Sequence, residues 1–429
     1  MKVSFYNLGC KVNFAETSIL QEQLKTAGHE IVRFGEPADA VFVHTCTVTN
    51  NADSDCRKLI RRIHREFPDA IIGVFGCYAQ LHPEEIAEID GVKLILGNEE
   101  KFELDIFLKN CEKDSNCEIY TDGLKNAEFH AATSIDNEVH TRTALKIQDG
   151  CDYFCTYCAV AYSRGRSRSM NFGDLREEVL SLNFVQAKEI VLSGINIGEY
   201  SSEGKNFTDA VKMLDSLPLD LRIRISSIEP NLVTEEIIDT IAKSKIFCHH
   251  FHIPIQSGSD TILKMMNRRY TSNFFAQQIE RIHSKIKNCC IGIDVIAGFP
   301  GETDELFQET YDLLSNIDFA YLHVFSYSDR SVARASKFEN KVPNLIKKHR
   351  TNQLIELSQQ KKSQFYDKNV GKIARIIPET FHAETGDTTA WTDNYVKVRF
   401  ETAAQLPKEF FNVEILSNEG DFCRAKLLK

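Results

Sequence analysis

The chain has 429 residues, 42% hydrophobic and 26% charged, with a net charge of −10. This is the composition of a soluble globular protein of several domains, and the acidic balance excludes a globally basic nucleic-acid binder while leaving room for local basic patches. No stretch approaches the roughly 18 apolar residues of a membrane helix. The opening Met1-Lys-Val-Ser-Phe-Tyr6 reads as a strand, not as a signal peptide. A cytoplasmic protein with reduced thiols is therefore expected, and its 13 cysteines should be ligands, core residues or free thiols.

Residues 1–130 alternate short apolar runs with amphipathic segments. Val3–Leu8, Ala40–His44, Ala70–Phe75 and Lys93–Leu96 predict strands. Ala15–Ala27, Asp53–Phe67 and a stretch near Pro83–Ile89 predict helices. This pattern predicts an open, flavodoxin-like parallel sheet. Cys10, Cys46 and Cys77 each follow one of these strands by one or two residues. In a parallel sheet such ends share one edge, where ligands bind. The three cysteines are either a metal site or three small buried hydrophobes.

Residues 141–366 alternate again. Ala144–Ile147, Glu189–Ser193, Arg222–Ser226, His250–Ile255, Gly292–Ala297 and Phe319–Phe325 predict six strands separated by helices, hence a partial (β/α)6 barrel open on one side. Directly after the first strand comes Gly150-Cys-Asp-Tyr-Phe-Cys-Thr-Tyr-Cys-Ala159, a Cys-x3-Cys-x2-Cys run. Three thiolates here can hold three irons of a four-iron cluster, and no nearby fourth cysteine closes it, so one iron stays open for a ligand. Zinc more often shows paired Cys-x2-Cys units or histidines at fixed offsets. Cys56, Cys248, Cys289, Cys290 and Cys423 lie in apolar or helical stretches and read as core, whereas Cys111 and Cys117 flank a polar loop and are not expected to form a disulfide. After a long helix over Asn344–Tyr366, short alternating runs at Ala374–Ile377, Ala390–Thr392, Tyr395–Phe400, Phe411–Ile415 and Cys423–Leu427 predict a small β-barrel over 369–429.

The triad Cys151, Cys155 and Cys158 resembles that of radical S-adenosylmethionine (SAM) enzymes, whose open iron chelates the methionine end of SAM. Leu8-Gly-Cys-Lys-Val-Asn13 with Glu16-Thr17, His44-Thr-Cys-Thr-Val-Thr49 and Gly76-Cys-Tyr-Ala-Gln80 resemble the N-terminal domain of the methylthiotransferases. The resemblance implies a second, auxiliary [4Fe–4S] cluster on Cys10, Cys46 and Cys77. It also implies SAM contacts from Tyr157, from Leu192-Ser-Gly-Ile-Asn196 (Gly194 and Asn196, with backbone carbonyls accepting from the SAM amino group), and from Glu229, Gln256 and Asp294. Without the resemblance, the 192–196 segment is an ordinary turn, and Gly298-Phe-Pro-Gly-Glu-Thr303 partly a helix-capping turn. One departure is Ala161, where the family usually has proline. The tail is similar to a TRAM domain, an RNA-binding barrel, with Thr392-Asp-Asn-Tyr-Val-Lys-Val398 at its best-known turn and Tyr395 and Lys397 as candidate RNA contacts.

Gly9-Cys-Lys-Val-Asn13 and Arg164-Gly-Arg-Ser-Arg168 resemble the branch that modifies N6-threonylcarbamoyladenosine next to the anticodon of tRNA. The implied reaction inserts a methylthio group at C2 and uses two SAM and two [4Fe–4S] clusters. Its partners are tRNA, an electron donor such as flavodoxin or ferredoxin, and a sulfur source. No membrane is involved and a monomer is expected. The substrate's carboxylate calls for a cation, for which Arg164 and Arg166 are candidates. The helix cations Arg57, Lys58, Arg61, Arg62 and Arg65, and the pair Arg268 and Arg269, are either solvated faces or phosphate contacts. Alternatives are methylthiolation of isopentenyladenosine or of a ribosomal-protein aspartate, and, outside catalysis, an RNA-binding iron–sulfur redox sensor.

Overall fold

The computed structural model describes residues 1–47, 49–111, 116–134, 141–185 and 187–428. The N-terminal sheet has six parallel strands in the spatial order Glu30–Val32, Lys2–Asn7, Ala40–Thr45, Ile71–Gly76, Val92–Leu96 and Glu118–Tyr120. The first five strands follow the flavodoxin-like order. The two central strands are buried along their whole length, as their unbroken apolar runs require. The edge strands Glu30–Val32 and Glu118–Tyr120 have three residues each and are half exposed, so they carry no apolar run to betray them. Helices Lys11–Thr26 and Asn50–Glu66 start earlier than their periodicity suggests; the second is capped by the Thr49 hydroxyl, which accepts from the Ala52 N–H.

The central domain has its six parallel strands in chain order: Arg142–Lys146, Glu189–Ser193, Arg222–Ile225, His250–His252, Cys290–Ala297 and Tyr321–Ser326. Between the third and fourth, pairing thins to the isolated bridges Ile223–Phe247 and Ser227–His252. Among the described residues the sixth strand does not pair back to the first, so the barrel is open, and the short antiparallel strand Ala132–Thr133 extends the sheet beyond the first strand. One large apolar core fills the layer between these strands and the surrounding helices.

Helix Asn344–Asp367 leads into a closed five-stranded barrel of Ile373–His382, Asp387–Thr392, Lys397–Glu401, Cys423–Leu427 and Phe411–Asn418. Its core also takes in Cys290, Ala320, Phe365 and Tyr366 from the preceding domain. The small barrel is thus packed onto the central domain and not strung from it. No helix among the described residues is long and apolar enough to cross a membrane.

Candidate active site

The two cysteine triads sit where the sheet geometry directs them. Cys10 comes three residues after strand Lys2–Asn7, Cys46 directly after Ala40–Thr45, and Cys77 opens the helix Cys77–Leu81 directly after Ile71–Gly76. The chain reverses between Lys2–Asn7 and Ala40–Thr45, which makes this the switch-point crevice of the sheet. Cys77 is buried and Cys46 partly so; Cys10 is exposed and lines a cavity open to solvent. Burial raises the Cys10 thiol, Arg164 opposes that shift, and Cys77 is close enough to add to it. The Asn98 side-chain amide faces Cys77 Sγ at 3.7 Å and donates to Ser163 O at 2.7 Å, which ties the thiol to the central domain.

In the central domain Gly150 turns the chain into the cysteine loop at φ +68°, and a Cβ there would lie 2.0 Å from the Arg166 carbonyl oxygen. Phe154 also lies at positive φ, +47°. The Tyr153 and Val160 N–H groups point at Cys151 and Cys158 Sγ at 3.5 and 3.4 Å. Burial pushes Cys158 up to about 11 and raises Cys151 and Cys155 as well, so binding of a metal by these thiols would release protons. Ala161, in place of the family proline, is the second residue of the short helix Val160–Arg164, a position that needs no fixed φ; the loop is held instead by the Gly165 N–H donating to Ala161 O at 3.0 Å.

Tyr157, Gln256 and Asp294 line one cavity with Cys158, and Thr49 reaches the same cavity from the N-terminal domain. Gln256 holds a φ of +67°. The Asp294 carboxylate receives His252 at 2.7 Å and His323 at 3.1 Å on one oxygen, and although burial opposes it these bonds hold its pKa down at about 2. Neither histidine belongs to a motif of its own; the signal available in the sequence is that both lie within strands flanking that of Asp294. Glu229 pairs with Arg268, whose guanidinium also reaches Cys155 Sγ at 3.1 Å and Tyr157 Oη at 3.4 Å. Gly194 and Asn196 lie at the neighbouring strand end, where Gln148 Oε1 accepts from the Ile195 and Asn196 N–H groups, both at 2.9 Å. A Cβ at Gly194 would come within 2.8 Å of that same oxygen. Both polar atoms of the Asn196 side chain are buried without a partner. Such orphaned groups cost stability unless a ligand meets them, so this end of the barrel fits a polar cofactor, and the donor set of three free thiols on one loop beside it, Cys151, Cys155 and Cys158, fits a cluster.

Of the two candidate cations, Arg164 needs correction. Arg164 is fully buried and committed: it donates to Glu16 at 3.0 and 3.1 Å, to Asp149 at 3.0 Å and to Asn13 at 2.8 Å. Lys101 and Lys146 reach the same Glu16 at 2.6 and 2.9 Å. Arg164 is therefore a strut between the first two domains and not a substrate hook. Arg166 is 78% exposed, pairs with Asp152 at 3.3 Å and lies over Phe154. Tyr395, expected on an RNA-facing turn, instead points into a cavity between the domains, stacked on Trp391 at 4.5 Å and under Arg224 at 4.9 Å. Lys397 lies partly exposed on the small barrel. Of the helix cations, Arg57, Lys58 and Arg62 are engaged by Glu85, Asp55 and Glu66.

A six-strand open barrel with a three-cysteine loop after its first strand defines a class. Residues 145–314 match the Radical SAM superfamily, and residues 2–97 match the "Uncharacterized protein family UPF0004". The superfamily uses [4Fe–4S] clusters and SAM. The chain is 37% identical over 99% of its length to the threonylcarbamoyladenosine tRNA methylthiotransferase MtaB of Bacillus subtilis (strain 168), covering 96% of that protein. It is 35% identical over 95% of its length to the protein of the same name from Aquifex aeolicus, covering 98% of it. It is also 32% identical over 96% of its length to a tRNA-2-methylthio-N(6)-dimethylallyladenosine synthase of Fusobacterium nucleatum, covering 97% of it. Among solved structures, the radical SAM methyltransferase TsrM of Kitasatospora setae shares the fold at a TM-score of 0.58 and 15% identity, over 76% of this chain and 72% of that one. The chain belongs to the radical SAM tRNA methylthiotransferases.

Proposed function

We propose that the protein inserts a methylthio group at C2 of N6-threonylcarbamoyladenosine next to the anticodon of tRNA, working with two SAM and two [4Fe–4S] clusters. The observation that carries this reading is the placement of the triads. Cys151, Cys155 and Cys158 crown the first barrel strand, while Cys10, Cys46 and Cys77 lie on a sheet edge turned toward the same barrel, so that Thr49 and Cys158 line one cavity. The choice of threonylcarbamoyladenosine is supported by the Gly9-Cys-Lys-Val-Asn13 wording and by the two relatives of that name at 37% and 35% identity.

Cys151, Cys155 and Cys158 would hold the cluster that binds SAM, and Cys10, Cys46 and Cys77 the auxiliary one. When bound, these groups supply the reductive cleavage of SAM to a 5′-deoxyadenosyl radical and the sulfur to be transferred. The chain's own residues bind and orient. Asn196 offers a buried amide to the polar end of SAM, and Tyr157, Gln256 and Asp294 fix its outline. Val160, Ile296 and Phe325 line the same cavity and keep water from it. Glu229 anchors Arg268 against Cys155. Residues 1–130, 141–366 and 369–429 act as the auxiliary-cluster, radical SAM and RNA-binding domains, the last contacting tRNA through Lys397. An electron donor such as flavodoxin or ferredoxin, a sulfur source and a cytoplasmic, monomeric protein complete the reading.

The test is turnover of anticodon stem-loops by anaerobically reconstituted protein. The stem-loop with threonylcarbamoyladenosine should be methylthiolated and the one with isopentenyladenosine left largely unmodified. Turnover of the isopentenyl form alone, or of both alike, overturns the substrate.

A further inference from the structure

Lys11 follows Cys10 in the Leu8-Gly-Cys-Lys-Val-Asn13 segment, and it has no role in the chemistry described so far. It is the first residue of helix Lys11–Thr26, next to Cys10, and lines a cavity of about 590 Å³. All three domains wall this cavity: Cys10 and Lys11 from the first, Arg142 and Val191 from the second, Glu379 and Tyr395 from the third.

The charges around Lys11 are committed to one another. Arg142 pairs with Glu379 at 2.9 Å and lies over the Trp391 and Tyr395 rings. Glu379 also accepts from Thr141 at 3.1 Å and from the Trp391 indole N–H at 2.9 Å. Glu189, the carboxylate within the lumen, is held by Arg222 and by Arg224, the latter at 2.7 Å. Lys11 alone has neither an ion pair nor a hydrogen bond among the described residues. Lys11 is exposed at the open side of this cavity, and with every nearby carboxylate taken its ammonium is free to meet an incoming anion.

We propose that Lys11, backed by Arg142, binds the carboxylate of the threonylcarbamoyl group and so sets the enzyme's choice of modified adenosine. This rests on the substrate reading above. In adenine, C2 and C6 flank N1, so the N6 substituent projects from the ring edge adjoining the C–H that reacts. With the reacting edge turned toward the sulfur donor on the Cys10 side, the carboxylate falls on the neighbouring residue of the same segment. An isopentenyl group would leave Lys11 unmet.

The experiment measures dissociation constants of two stem-loops, one bearing the threonylcarbamoyl carboxylate and one its methyl ester, for the reconstituted full-length protein. Wild type should prefer the acid by roughly tenfold to a hundredfold, as for one charge-assisted hydrogen bond. Lys11→Met should bring the ratio near one, and Lys11→Arg should keep most of it. An unchanged ratio in Lys11→Met, or no preference in wild type, overturns the proposal. So does loss of half the iron from Lys11→Met and Lys11→Gln with both stem-loops weakened alike, which would make Lys11 a support for the cluster. Failure of the substrate reading shows separately, as wild-type turnover of the isopentenyl stem-loop and not of the acid, and takes this proposal with it.

Discussion

Replacing Glu16 by Gln tests how the first two domains are joined. Glu16 is fully buried and faces Arg164, Lys101 and Lys146; Asp149, the second carboxylate of the group, also receives Arg168 at 3.1 Å. Four cations thus share two carboxylates. Glutamine keeps the shape but removes the charge and one acceptor oxygen, so the lysine that meets its NH2 group falls back on Asn98 Oδ1 at 2.8 Å in the case of Lys101, or on Asp149 at 3.5 Å in the case of Lys146. Breaking a buried pair on one side costs roughly 3–5 kcal/mol. The share that falls on Lys101 has a ceiling: burial has already pushed it down to about 8, so at pH 7 it can shed its proton for only about 1–2 kcal/mol more, and the rest of the loss falls on Arg164 and Lys146. Arg164→Met should be milder, about 1–2 kcal/mol, because Glu16 keeps both lysines and the excess of positive charge falls. Urea unfolding, followed through the first transition, measures both. A Glu16→Gln protein within about 0.5 kcal/mol of wild type, or an Arg164→Met protein less stable than Glu16→Gln, refutes the reasoning.

Changing Cys151, Cys155 and Cys158 to Ala should remove half the iron and end reductive SAM cleavage; 5′-deoxyadenosine from that protein would show the site to be elsewhere. Changing Cys10, Cys46 and Cys77 to Ala should also halve the iron yet spare SAM cleavage while abolishing the methylthio product, and full iron content would count against the auxiliary cluster. Lys397→Ala should weaken tRNA binding and lessen its salt dependence; point changes are the right probe, since removal of residues 369–429 would also uncover Arg222 and Arg224, which the Trp391–Asp393 segment covers. His250 is buried, and burial followed by Arg224 holds it well below its ordinary 6.5. It is neutral when folded and charges when unfolded, so its contribution is full above pH 6.5 and declines below it by up to about 1.4 kcal/mol per pH unit. His250→Gln should flatten the stability profile between pH 5 and 6.5 by that slope, and an unaltered slope would be decisive against it.

The elements legible in the sequence are those whose signal is local. The Cys151–Cys158 spacing, the buried strands Ala40–Thr45 and Ile71–Gly76, the six barrel strands and the strand Cys423–Leu427 announce themselves within a few residues. What was not legible depends on partners far along the chain. Arg164 reads as a mouth arginine until it is seen that Glu16, 148 residues earlier, takes both of its terminal nitrogens. Tyr395 reads as an RNA contact until the small barrel is found packed against the lumen, with its ring over Arg224. The orphaned amide of Asn196 follows from the burial of its whole turn and not from the identity of its neighbours.

The two triads share one electrostatic device. A four-iron site asks three thiolates to gather in a place where burial disfavours thiolate charge. Each triad has beside it an arginine paired with a glutamate. Arg164 is held by Glu16 and lowers the Cys10 thiol, and Cys77 in turn acts on Arg164. Arg268 is held by Glu229 and lowers the Cys155 thiol. Lysine would serve less well, because a buried lysine sheds its proton whereas a guanidinium stays charged. The glutamate sets direction and the arginine supplies permanent charge. At the N-terminal triad the excess of cations over carboxylates leaves positive charge for thiolates to meet. The same residues that fasten the domains together therefore prepare the sheet edge for an anionic group, and the join and the proposed cofactor site are one structure.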